Sequence, residues 1–159
     1  MPRLRLLPLL ATACLVLAGC DPPTTISTEP SLLADVPTRI QVDGRELVLD
    51  TYLFRDFMPA SPPDGRPLIA GLKVRTVDGS PLPAGIGAET VSVLYLDEVW
   101  TAPARLEHPS QIPSVLELVA RDGPKWGPAV NVDVVLQLRD RSGQAYRLRA
   151  ADQPIHRTD

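Results

Sequence analysis

Between Val130 and Asp140 the chain alternates almost without interruption. Val130, Val132, Val134, Leu136 and Leu138 fall on one side, and Asn131, Asp133, Gln137 and Arg139 on the other. Successive side chains of an extended strand point to opposite faces, so a period of two predicts a strand with one dry and one wet face. A dry face needs a second layer to cover it. The chain offers several more strands for that purpose. Ile40–Val42 and Glu46–Phe54 flank Asp43-Gly44, a strong hairpin signal between apolar runs. Leu68–Val77, Glu89–Trp100, Val115–Arg121 and Ala145–Ala150 follow, separated by segments rich in proline, glycine and aspartate. Ala151–Asp159 either extends an edge or frays. No convincing amphipathic helix interrupts the series.

About seven short strands with frequent turns predict an all-β, antiparallel domain. The pattern resembles an immunoglobulin-like sandwich without its disulfide, and a small β-barrel fits nearly as well. Neither fold carries a function by itself.

The first twenty residues have a different character. Arg3 and Arg5 form a basic head, Leu6 to Ala18 is an apolar run broken by Pro8 and Thr12, and Leu17-Ala18-Gly19-Cys20 closes it. The layout is that of a cleavable secretory signal, too short for a lasting transmembrane span. Its end resembles the lipobox of bacterial lipoproteins, which a signal peptidase II-type enzyme processes. The resemblance implies cleavage between Gly19 and Cys20, with a diacylglyceryl group on the Cys20 sulfur and acylation (a palmitate, for example) of its amine. Two or more acyl chains give stable membrane anchoring. Asp21 next to the cysteine resembles an inner-membrane retention signal of enterobacterial lipoproteins. The expected organisation is a signal at 1–19, a lipidated tether at 20–38 and a β domain at 39–159. The tether is rich in proline and threonine, and such sequence is extended and semi-rigid, at about 3 Å per residue.

The lipobox also excludes chemistry. The chain has two cysteines, Cys14 and Cys20. Cys14 leaves with the signal and Cys20 is committed to lipid, so a disulfide, a thiol nucleophile and a thiolate metal site all drop out. No cofactor is expected beyond the covalent lipid. Loss of Arg3 and Arg5 makes the formal charge of −3 more negative. That mild acidity argues against a nucleic-acid partner.

The search for a catalytic set finds only isolated parts. No Gly-x-Ser-x-Gly elbow is present. His108 lies between Glu107 and Pro109, and His156 near the C-terminal end. No histidine-rich or carboxylate-rich run supplies the ligands of a metal site. Adjacent strand residues diverge, so Asp97 and Glu98 are expected to point apart. Asp78 and Asp140 sit at turns, where aspartate bonds its own backbone. Arg139, Arg147 and Arg149 share an outward face of the last hairpin. That face is either a solvated surface or a patch for anionic headgroups.

Trp100 and Trp126, each near prolines at a strand or loop edge, have two readings. One is packing over the open end of the core. The other is an aromatic surface for a sugar or peptide, since tryptophan offers large area at low entropy cost. The function expected from these residues is a non-catalytic binding or adaptor domain, held at an envelope membrane, with an envelope protein or glycan as partner. Two alternatives stand beside it. One is an envelope enzyme or catalytic accessory using His108 and a carboxylate. The other is a subunit of an envelope complex that uses a strand edge.

Overall fold

The computed structural model describes residues 25–27, 35–107 and 111–159. Ten strands run in chain order: β1 (Thr25–Ser27), β2 (Ile40–Val42), β3 (Arg45–Asp56), β4 (Leu68–Thr76), β5 (Gly87–Tyr95), β6 (Glu98–Pro103), β7 (Arg105–Leu106), β8 (Val115–Gly123), β9 (Asn131–Arg139) and β10 (Ala145–Thr158). No helix occurs among the described residues, so the all-β expectation holds.

The strands form a mixed sheet in the order β1-β6-β5-β9-β10-β3-β4-β8-β7, with β2 paired to β3. Two features fold this path nearly into a barrel. First, β10 changes partners along its length. Ala145–Pro154 pairs antiparallel with β9, and Ile155–Thr158 pairs parallel with β3. Second, β6 and β7 are one run of chain that turns at Ala104, so that β6 pairs β5 while β7 pairs β8. The result is two walls, β6-β5-β9-β10 and β3-β4-β8, around a common interior.

That interior holds the residues that alternation predicted. Val132, Val134, Leu136 and Leu138 of β9 face Leu47, Leu49, Leu53, Leu68, Leu72 and Val74 of the other wall. Burying one such side chain contributes roughly 1.5–3 kcal/mol. Trp100 closes the seam where β6 approaches β8. Its ring lies so near Gly123 that an added Cβ there would stand 3.0 Å from two ring atoms. Glycine at the end of β8 therefore makes room for the indole.

Four segments depart from the sequence reading. The single strand expected over Glu89–Trp100 is a hairpin, β5–β6, turning at Leu96-Asp97. Leu96 takes φ 54° without help from a glycine. The C-terminal tail does not fray: β10 continues to Thr158, and Ile155–Thr158 extends the sheet beside β3 in parallel pairing, where an antiparallel domain was expected. The long connection Pro103–Pro113 contains β7. Within the expected tether, Thr25–Ser27 pairs with β6, and the Pro37 carbonyl accepts the backbone N–H of Arg149 at 2.9 Å. Val36 packs with Leu94, Val99 and Val135 in a second, smaller apolar cluster on the outside of the β5-β6-β9 wall.

Candidate functional site

The inward residues of β3 are Leu47, Leu49, Thr51, Leu53 and Arg55, which leaves Val48, Asp50, Tyr52 and Phe54 on the outer face of the β3-β4-β8 wall. Two aromatic side chains thus stand on a face that water normally claims. Tyr52 is 52% exposed. Its ring stacks on His156 with centroids 5.0 Å apart and 20° between planes, and meets Phe54 at 5.4 Å. His156 reaches this position because β10 pairs parallel with β3, placing it opposite Phe54.

On its other side Tyr52 pairs with Gly71 of β4. A Cβ at position 71 would find only the Tyr52 carbonyl oxygen at 3.3 Å and the Tyr52 Cβ at 3.9 Å, so the ring does not cover the glycine. The uncovered strip is a recess of about 370 Å³, bordered by Asp50, Tyr52, Lys73 and Glu117 and floored by Gly71, Leu72 and Leu118. Its rim carries two ion pairs. Arg75 Nε meets Asp50 Oδ2 at 2.6 Å, and Lys73 Nζ meets Glu117 Oε1 at 3.2 Å. Chemically the recess presents an aromatic wall, a backbone floor, two carboxylates and two cations. It can stack and hydrogen-bond a ligand.

The two tryptophans are not brought together. Trp100 is fully buried, which removes it from any ligand surface. The missed hairpin is the reason: Trp100 lies within β6, not at the end of a long strand. Its indole N–H has no hydrogen-bond partner among the described residues. Trp126 is partly buried against the core, contacts Tyr95 at 5.6 Å, and donates its indole N–H to Glu98 Oε2 at 2.8 Å. Asp97 lies in the turn while Glu98 opens β6, so the two are not the neighbours within one strand that were expected.

Arg55 is the one buried cation among the described residues, 3% exposed. It lies over the Phe57 ring and donates to the carbonyls of Arg66 at 3.0 Å, Lys125 at 3.0 Å, Gly127 at 2.6 Å and Asp64. Burial lowers its pKa, and the nearby Asp64 charge opposes that shift. Arg55 thereby ties the loops 57–67 and 124–130 together at one end of the barrel. Its donors are used by the chain itself.

At the other end a hollow of about 710 Å³ lies between Arg45, Pro81–Ala84 and Asp140–Ser142. Three of its charged side chains, those of Arg45, Asp140 and Arg141, are engaged by the chain itself, and Asp43 also lines it. Arg45 donates to the carbonyls of Pro81 and Leu82, and Arg141 to that of Ala84 at 3.2 Å. Asp140 accepts from Ser142 Oγ and from the backbone N–H groups of Ser142 and Gln144. The Ser142 hydroxyl is the main cause that holds its carboxyl below the ordinary range. Asp78 is held down in the same way by Ser80. Both turns therefore follow the expected backbone-bonding role.

Two arginines of the outward face of the last hairpin, Arg139 and Arg149, are engaged by acids. Arg139 pairs with Glu89 at 2.5 Å and Arg149 with Asp133 at 2.6 Å. Among the described residues no three His, Cys, Asp or Glu side chains cluster as metal ligands, and no helix is long and apolar enough to cross a membrane. His108, Gly19 and Cys20 lie outside the described residues. Sequence reasoning missed Tyr52. The signal was an aromatic pair at i, i+2 on the wet face of a strand whose leucines define the dry one. Comparisons with protein-family models, with curated proteins and with solved structures find no match.

Proposed function

We propose that this chain is a lipid-anchored protein of the bacterial envelope whose β domain is a non-catalytic binding or adaptor module. The observation that carries the binding reading is the Tyr52 recess: an exposed aromatic side chain, held by His156 and Phe54, beside a strip of bare backbone. Aromatic anchors beside a few polar groups are the usual make-up of a recognition surface. The anchor rests on the order of basic head, apolar run, small residues and Cys20. The slight lean to the inner membrane rests on Asp21.

The finer fold reading is an immunoglobulin-like arrangement. The sets β3-β4-β8-β7 and β5-β9-β10 follow, in chain order, the strand sets ABED and CFG of such a sandwich, with β6 beside the second. The buried tryptophan sits on β6 instead of the strand in the C position, and both cysteines lie outside the described residues. Those two points depart from the antibody pattern.

The test has two parts. The chain is expressed with its own signal under metabolic lipid labelling, as wild type and as Cys20→Ser. Label in the wild type and its loss in the variant support the anchor, and label persisting in the variant overturns it. Wild type and Tyr52→Ala are then compared in capture from solubilised envelope. Loss of captured material with unchanged melting supports the binding surface, and identical capture overturns it.

A further inference from the structure

We propose that the recess over Gly71 binds a neutral, hydroxyl-rich sugar ring, one residue of an envelope glycan, seated against Tyr52. This rests on the binding reading above and names its ligand class. Tyr52 has one ring side engaged by His156, with Phe54 beside it, and the two neighbours fix its orientation. Tyr52 also lines the recess, which lies over Gly71 of β4, while His156 stands on β10, the neighbour of β3 on the opposite side. A tyrosine face is apolar and carries negative quadrupole charge, which suits the C–H-rich face of a pyranose. Gly71 adds no side chain to the floor, so a flat ring can approach the backbone.

The rim selects against charge. Asp50 with Arg75, and Lys73 with Glu117, give two acids and two bases, each already paired. A charged ligand would break one pair and leave a like charge facing it. A polyol hydroxyl accepts from Lys73 and donates to Glu117 or Asp50 while the balance stays at zero. Exposed ion pairs of this kind contribute little to stability, so hydroxyls compete with them at small cost.

A peptide strand is disfavoured by position. Extended peptides dock on free backbone edges. The recess lies in mid-sheet, where Tyr52 is paired with Gly71 and Lys73 with Glu117. The attachment side points the same way. Val36 packs on the outside of the opposite wall, and β1 on its edge, so the recess looks away from the segment that leads back to Cys20.

The probes are chitotetraose and cellotetraose in calorimetric titration, and isolated peptidoglycan sacculi in co-sedimentation, with the full chain in detergent. Binding of at least one saccharide is expected, with Tyr52→Ala weakening it by about tenfold or more, or roughly 1.4 kcal/mol. Tyr52→Phe keeps the stacking face and retains binding, Gly71→Ala narrows the floor and weakens it, and Trp126→Ala leaves it unchanged. Lys73→Met gives a second reading should Tyr52→Ala fail to fold, and is expected to weaken binding as well. No saccharide binding, or equal binding by wild type and Tyr52→Ala, overturns the proposal. If saccharides fail while Tyr52→Ala still loses an envelope protein that wild type captures, the glycan class is wrong and the binding surface stands. If neither changes, both fall.

Discussion

The two walls of the barrel share a core but differ on their outer faces. Outside β5-β6-β9, Leu94, Val99 and Val135 are buried because Val36 lies with them, and β1 covers the edge of β6. Outside β3-β4-β8, Tyr52 stands half exposed beside an uncovered glycine. One wall uses its outward apolar residues to hold the N-terminal segment. The other leaves them to solvent. An apolar residue covered by its own chain is explained by stability, whereas Tyr52 is left 52% exposed. The difference identifies which face the chain itself leaves uncovered.

The sharpest way to break this comparison is to place a carboxylate on each face. Val99→Asp puts a charge at a buried position without a designed partner, and a loss of about 3 kcal/mol or more is expected in urea unfolding. Tyr52→Asp on the bare face should cost less than about 1 kcal/mol, since only surface contacts are lost. Equal losses would mean that the second face is also structural.

Arg55 sharpens the contrast within one strand, because β3 points Tyr52 outward and Arg55 inward. Arg55→Met keeps the length and apolar stem but leaves four loop carbonyls without their donor. Each buried acceptor left unsatisfied costs about 1–3 kcal/mol, with some recovery from water at the barrel end, so a net loss of about 2–3 kcal/mol is expected. Hydrogen exchange should quicken in loops 57–67 and 124–130, and not in β3 around Tyr52. A uniform increase would show that Arg55 supports the whole barrel and not one end.

How far the molecule could be read from its sequence follows the same division between local and distant causes. The alternation of β9, the Asp43-Gly44 hairpin and the aspartate turns at 78 and 140 are local, and each is found where expected. The β5–β6 turn was hidden because Leu96 takes a left-handed φ that leucine rarely adopts. The second half of β10 was hidden because a bulge resets its parity. Leu148 and Ala150 face inward before it and Ile155 after it, with Asp152 at φ 56° between. Tyr52 on a wet face was legible in β3 alone. The recess was not, because it depends on the register that sets Gly71 opposite Tyr52, and that pairing is written in no single segment.

The covered wall can also be trimmed without charge. Val36→Ala removes two methyl groups from the small outer cluster, and a loss of roughly 1–2 kcal/mol is expected in thermal or urea melts. The recess should be untouched by this change, so saccharide titration of Val36→Ala should match wild type. A change in binding would couple the two walls.

The smallest effect concerns acid. Glu89 lies on the outer face of the β5-β9 wall, where it accepts from Arg139 at 2.5 Å and from Gln137 at 2.7 Å. The hydrogen bond from Arg139 is the first cause that holds its carboxyl below the ordinary range, with Gln137 and the Arg139 charge adding to it and desolvation opposing. A carboxylate whose folded pKa lies below its unfolded value binds protons more readily in the unfolded chain. Its contribution is therefore present above the unfolded pKa, near about 4.3, and is lost as pH falls through the lower folded pKa. Urea midpoints of wild type and Glu89→Gln should differ at pH 6 and converge as the pH drops below about 4. Glu89 is partly exposed, so added salt should shrink the difference at pH 6. A difference that persists unchanged at low pH would mean that Glu89 acts through packing of its stem instead of its charge.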